Sequence, residues 1–234
     1  MNKLTSVLAV AAAVGTAWVA PASAVTCNNV CVGYFNGTTI ANLSDQPSLA
    51  TGGTSYGSFF FSVTAAGNAA PGSLFSNTID IRTGGAGSLT VYSTIVGVTN
   101  PLGIVNYSSG FTTNNLPSGW SVVETTFYDP TNAAYGMADQ LAQAMLNTSL
   151  TTASSIDPTI SLVGPYSLTT RFVITALGTP ANFPTVNNTI NLQSVSPSNE
   201  STTPLPASLP LFASGLGALG IAGWRKRKKA KAAA

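Results

Sequence analysis

Six stretches of this chain alternate apolar and polar residues with a period of two, and clusters of Gly, Pro, Asn and Ser separate them. In "YGSFFFSVT", Phe59, Phe61 and Val63 share one face while Ser58, Ser62 and Thr64 share the other, with Phe60 out of step. "NTIDIRT" sets Ile79 and Ile81 against Asp80 and Arg82, and "GSLTVYSTIVGV", "GWSVVETTFYD" and "NNTINLQS" continue the pattern. "YSLTTRFVITAL" places Leu168, Thr170, Phe172, Ile174 and Ala176 on one side and Arg171 on the other. Helices cannot satisfy a period of two, so the middle of the chain must be strands. The turn signals "AAGNAAPGS", "RTGGAGS", "TNPLG", "NNLPSG" and "LGTPANFPT" punctuate those strands. The expected fold is all-β, a single β-sandwich or jelly-roll-like domain. One short helix is expected, in "AYGMADQLAQAMLN", where Met137, Leu141 and Met145 recur at i, i+4 and i+8 and would pack over one edge of the sandwich.

Charge narrows the function. Only 7% of the 234 residues are charged, and seven of the nine basic residues, Lys3 and the cluster from Arg225 to Lys231, lie near the two ends. Between the ends, Arg82 and Arg171 face seven acids, so the domain is mildly acidic and has no basic stripe with which to neutralise phosphates. Nucleic acid is therefore not an expected partner.

The chain has no His, which removes every Ser/His/Asp and Cys/His arrangement. Glu124 and Asp129 are the one carboxylate pair to weigh as a glycosidase acid and nucleophile. Alternation puts Glu124 on the face of Trp120 and Val122, and Asp129 precedes Pro130 in a turn, so the two read as a strand-face carboxylate and a turn cap. No catalytic residue is assigned, and the chain is not expected to be an enzyme.

Asp45, Asp129 and Asp157 fall in expected loops, where an exported sandwich can hold calcium, but no Asp-x-Asp-x-Asp cluster supports it and no metal or other cofactor is assigned. Trp120, Tyr128 and Tyr135 are read as core aromatics, with stacking on sugar rings as the alternative. Asn-x-Ser/Thr triplets begin at Asn36, Asn42, Asn106, Asn147, Asn187 and Asn199, as expected by chance in a chain so rich in these residues.

Both ends read as addresses. Residues 1–24 have a basic start at Lys3, an apolar run from Leu4 to Ala20, and Ala22, Ser23 and Ala24 as a small-x-small site for signal peptidase. The ectodomain then runs from 25 to 193, beginning with Cys27 and Cys31, which an exported chain joins most simply in a disulfide. Residues 194–203 form a polar linker. From Leu205 to Trp224 the chain is uncharged and long enough to cross a bilayer as a helix, with Trp224 at the interface and the basic residues inside. Four glycines and two prolines weaken that helix, which suits a transient stop.

"TPLPASLPLFASGLGALGIAGWRKRKK" resembles the PEP-CTERM sorting signal of Gram-negative bacteria, a Pro-x-Pro motif followed by a Gly/Leu/Ala-rich transmembrane helix and a basic cluster. Here the motif is Pro204, Leu205, Pro206, and the cluster is Arg225, Lys226, Arg227, Lys228, Lys229 and Lys231. Leu205 stands where the family usually has Glu. The resemblance covers residues 204–234 and implies cutting near the motif by an exosortase in the inner membrane.

The expected protein is thus exported across the inner membrane, membrane-anchored until processed, and then at the cell surface or in the extracellular matrix. It is expected to be noncatalytic and associated with exopolysaccharide or biofilm. An exported carbohydrate-active hydrolase and a permanently anchored bitopic membrane protein are the alternatives.

Overall fold

A computed structural model describes residues 26–156, 159–177 and 185–195. They form two antiparallel sheets packed face to face. In chain order the strands are β1 (Val30–Phe35), β2 (Ile40–Gln46), β3 (Leu49–Tyr56), β4 (Phe59–Ala69), β5 (Gly72–Thr83), β6 (Gly87–Val98), β7 (Gly103–Asn114), β8 (Trp120–Asp129), β9 (Asp139–Leu146), β10 (Thr151–Ile156), β11 (Ile160–Leu162), β12 (Tyr166–Ala176) and β13 (Val186–Val195). One sheet has six strands in the order β2-β1-β6-β12-β8-β9. The other has seven, in the order β10-β7-β13-β5-β4-β3, with β11 also paired to β7.

The alternation read from the sequence is what closes the sandwich. Phe59, Phe61 and Val63 of β4 are buried, as are Leu168, Thr170, Phe172, Ile174 and Ala176 of β12, while Phe60 projects outward and is 63% exposed. Each fully buried Leu, Ile or Phe contributes roughly 1.5–3 kcal/mol, so these two strands alone supply much of the apolar driving force.

The core also carries a hydroxyl seam. Register sets Ser93, Thr170 and Thr126 side by side on the six-stranded sheet. Across the interior, Ser76 meets Thr170 and Ser109 meets Thr126, each at 2.8 Å. These two pairs find partners inside the apolar layer and tie one sheet to the other, while the Ser93 hydroxyl beside Thr170 stays buried without a partner among the described residues.

Three expectations are corrected here. The stretch expected to be a helix is largely β9, an edge strand pairing with β8 from Tyr128↔Asp139 to Val122↔Leu146. The Met137, Leu141 and Met145 stripe does not exist as a face. Leu141 and Leu146 are buried, Met145 is 67% exposed, and Met137 precedes the strand and packs beside Tyr135 and Cys31. A register shift between Thr126 and Phe127 leaves an extra residue on β9, so Leu141 and Ala142 are both buried and strict alternation is lost. Asp45, expected in a loop, lies in β2. β13 runs through Val195, so Ser194 and Val195 belong to a strand and not to the linker.

Candidate functional site

The outer face of the seven-stranded sheet is built from the polar halves of its alternating strands. Register aligns Thr51, Thr64, Asn77, Thr189, Thr112 and Thr152 into one row crossing β3, β4, β5, β13, β7 and β10. Neighbouring strands lie about 4.8 Å apart, so the row presents hydroxyl and amide groups at that repeat. Thr51 and Thr64 bond to each other at 3.1 Å. The next outward row contains Phe75, Asn191 and Gly110, and the one after it Ser73, Gln193 and Ser108. The strands of this sheet hold two charged residues, Asp80 and Arg82, and the Asp80 side chain lies outside what is described.

Two exposed aromatic rings interrupt this polar field. Phe60 pairs with Arg82 across β4 and β5, where a register shift between Phe60 and Ser62 opens the ladder. Thr54, Phe60, Phe61, Ser62 and Arg82 line a shallow, open hollow of about 460 Å³ there. Register turns Phe60, Ser62 and Arg82 outward there, whereas Thr54 pairs with the buried Phe61 and faces inward, so the outward side chains at the hollow are a ring, a hydroxyl and a guanidinium. That combination suits a ring with one apolar face and polar edges. Phe75, 42% exposed, stands opposite Ala66 on the same sheet. Six residues along β4 separate it from Phe60, roughly 20 Å at about 3.3 Å per residue.

Glu124 and Asp129 do not face each other. Glu124 points into the sandwich beside Phe172 and is fully buried, with neither carboxyl oxygen in hydrogen-bonding geometry. Burial pushes its pKa up to about 9, and the nearby Thr112 backbone only partly opposes the shift. The carboxyl therefore stays neutral at ordinary pH. Asp129 projects from the other side of β8 and caps the following turn, accepting from the Thr131 backbone N–H at 2.7 Å and hydroxyl at 2.6 Å. The pair considered for glycoside hydrolysis is thus divided between the core and the outer face.

The outer face of the six-stranded sheet is covered by the chain's own residues on its β1 and β6 side, while Met145 at the β9 edge is 67% exposed. Cys27 and Cys31 form a disulfide that packs near Tyr92 and Tyr135. Asp45 accepts from the backbone N–H and side-chain amide of Asn28, at 3.0 and 2.7 Å. Among the described residues the one cluster of three potential metal ligands is Cys27, Cys31 and Asp45, and its two sulfurs are bonded to each other. Calcium finds no grouping of Asp45 with Asp129 among the described residues, and Asp157 lies outside them. Arg171 lies over the Phe127 ring at 5.0 Å, and burial lowers its pKa.

Trp120, Tyr128 and Tyr135 are all buried, which places them in the interior and away from any sugar platform. Among the described residues the exposed rings are Phe60 and Phe75 instead. Phe60 carried a signal: three consecutive aromatic residues on a strand must turn the middle one outward. The threonine row had none, because only strand pairing brings those residues into line. Ala22, Ala24, the Pro204, Leu205, Pro206 motif and the basic residues from Arg225 to Lys231 lie outside the described residues.

The class that the fold defines is an antiparallel two-sheet β-sandwich. No family model matches the chain, and no curated protein does. Among solved structures, TmCBM61 in complex with β-1,4-galactotriose is similar over 63% of this chain and 88% of its own, at 11% identity and a TM-score of 0.33. The enzymatically active domain of bacteriophage CBA120 tailspike protein 4 is similar over 71% of this chain and 19% of its own, at 11% identity and 0.30. Arthrobacter globiformis T6 isomalto-dextranase complexed with panose is similar over 70% and 30%, at 14% identity and 0.26. This chain spans under a third of the latter two. These distant likenesses assign no residue here a role.

Proposed function

We propose that this chain is an exported, noncatalytic cell-surface or matrix protein whose sandwich associates with exopolysaccharide through the outer face of its seven-stranded sheet. The observation that carries the reading is the hollow at Phe60, where an exposed ring stands beside Arg82 and Ser62. Sugar rings stack their C–H faces on aromatic rings and offer hydroxyls to polar neighbours, and the hollow supplies both partners. The rows of Thr, Asn and Gln beyond it extend the same chemistry, and Phe75 offers a second ring for a longer polymer. In this reading signal peptidase cuts after Ala24 and an exosortase-like enzyme cuts near Pro204, Leu205, Pro206. The basic tail is an address that the mature protein discards.

Electrophoresis through gels containing the host's exopolysaccharide tests the binding half. The native protein should be retarded, and Phe60→Ala should lose at least tenfold in apparent affinity without a change in unfolding temperature. Equal mobility of the two proteins in the loaded gel would reject this face as the binding site.

A further inference from the structure

The end of the seven-stranded sheet from which β13 departs carries an exposed apolar patch. Leu102 is 52% exposed, Ile104 68%, Val163 75% and Val195 36%. Register brings them together. Ser161 pairs with Ile104 and Leu162 with Gly103, so Val163 and Leu102 flank the last pair of that ladder. Val195 pairs with Asn106, one outward position along β7 from Ile104. Single exposed aliphatic residues are ordinary, but four at one end of one sheet form a contiguous surface. β7, β11 and β13 contain no charged residue.

The chain leaves the domain at this patch. Residues 196–204 follow Val195, and the uncharged segment from Leu205 to Trp224 comes directly after. Nine residues reach at most about 30 Å when fully extended. If Leu205 to Trp224 spans the bilayer, as the anchored form requires, the patch is tethered within that distance of the outer leaflet. A surface without charge meets little desolvation cost on entering the headgroup region, and a short tether holds it at high effective concentration there.

We propose that Leu102, Ile104, Val163 and Val195 form a membrane-contacting surface that rests on the lipid headgroup boundary while the C-terminal segment is still attached. The proposal depends on the anchored stage of the processing described above. It gives the contact a consequence: the sandwich is held end-on, with β13 and the Pro204 to Pro206 motif close to the bilayer. After cutting, the tether is gone, and the small patch alone does not retain the protein.

The two cysteines are joined in the disulfide, so single introduced thiols can be labelled with an environment-sensitive dye. The signal-processed chain, from Val25 to Ala234, carrying Ile104→Cys, Val163→Cys or, in the turn at the opposite end of the sandwich, Ala86→Cys is reconstituted into phosphatidylethanolamine/phosphatidylglycerol vesicles. Lipids spin-labelled at the headgroup should quench the dyes at 104 and 163 several-fold more than the dye at 86. If the chain floats with the vesicles but all three sites are quenched equally, the patch faces away from the membrane and the proposal fails while anchorage stands. Dyes at 104 and 163 that are shielded from aqueous iodide yet unreached by the spin-labelled lipid would give the patch to the chain's own tail or to a second copy. A chain that does not float removes the anchored stage, and the proposal falls with it.

Discussion

Glu124 makes the stability of this protein depend on pH in a direction opposite to that of a surface carboxylate. Its side chain is fully enclosed, its oxygens have no hydrogen-bonding geometry, and burial raises its pKa from an ordinary 4.5 to about 9. In the unfolded chain the carboxyl loses its proton near its ordinary value, whereas in the folded chain it holds that proton to about 9. Below the lower value both states are protonated and the group is neutral to stability. Between the two values the folded state binds one more proton than the unfolded state, so stability falls as pH rises. The slope is about 1.4 kcal/mol per pH unit, or about 4 kcal/mol between pH 5 and 8. That is a large share of the roughly 5–15 kcal/mol by which domains are stable. The window is clean because the chain has no His to titrate within it. Urea unfolding followed by circular dichroism at several pH values measures the effect. The unsubstituted protein should show its midpoint falling steadily from pH 5 to 8, and Glu124→Gln should be nearly flat and the more stable protein at pH 8. Parallel pH profiles for the two proteins would refute the buried neutral acid.

Three further outcomes follow from the packing. Gly72→Ala should destabilise by about 1–3 kcal/mol in thermal unfolding, since overpacking costs that much; a Cβ there would meet Val98 Cγ1 at 2.8 Å and the hydroxyls of Tyr107 and Tyr166 at 2.9 Å. Ser76→Ala and Thr170→Val should each cost about 1–2 kcal/mol in urea unfolding, while the double variant should cost less than their sum, because Thr170→Val strands the Ser76 hydroxyl and Ser76→Ala leaves the Thr170 hydroxyl only the Ser93 carbonyl at 3.5 Å. Replacing Cys27 and Cys31 with Ser should lower stability by about 2 kcal/mol without loss of the fold, as a short loop removes little chain entropy; near-complete unfolding of that variant would contradict this.

Where apolar and polar types alternate sharply, the strands were legible. β4, β6, β8, β12 and β13 follow the expected runs closely, and the inward turn of Glu124 followed from its company with Trp120 and Val122. β9 was not legible. Ala, Gln, Leu and Met all favour helices, and Met137, Leu141 and Met145 happen to repeat at four, but pairing along the edge of β8 overrides propensity. β7 was hidden for a different reason: "GIVNYSSGFTTN" offers Val105, Tyr107 and Phe111 inward with small hydroxyl and glycine residues between them, a weak pattern until β13 pairs with it. The site divides the same way. Phe60 broke the alternation and so announced itself, whereas its partner Arg82 depends on a shift in register that no local pattern encodes.

In the proposed function the two ends direct export and are then removed. Intact-mass measurement of the protein recovered from the surface of an exosortase-bearing host tests this directly. The predicted species begins at Val25 and ends near Pro204 to Pro206. A chain that keeps Met1 and the Arg225 to Lys231 cluster, found in the cytosol, would contradict it.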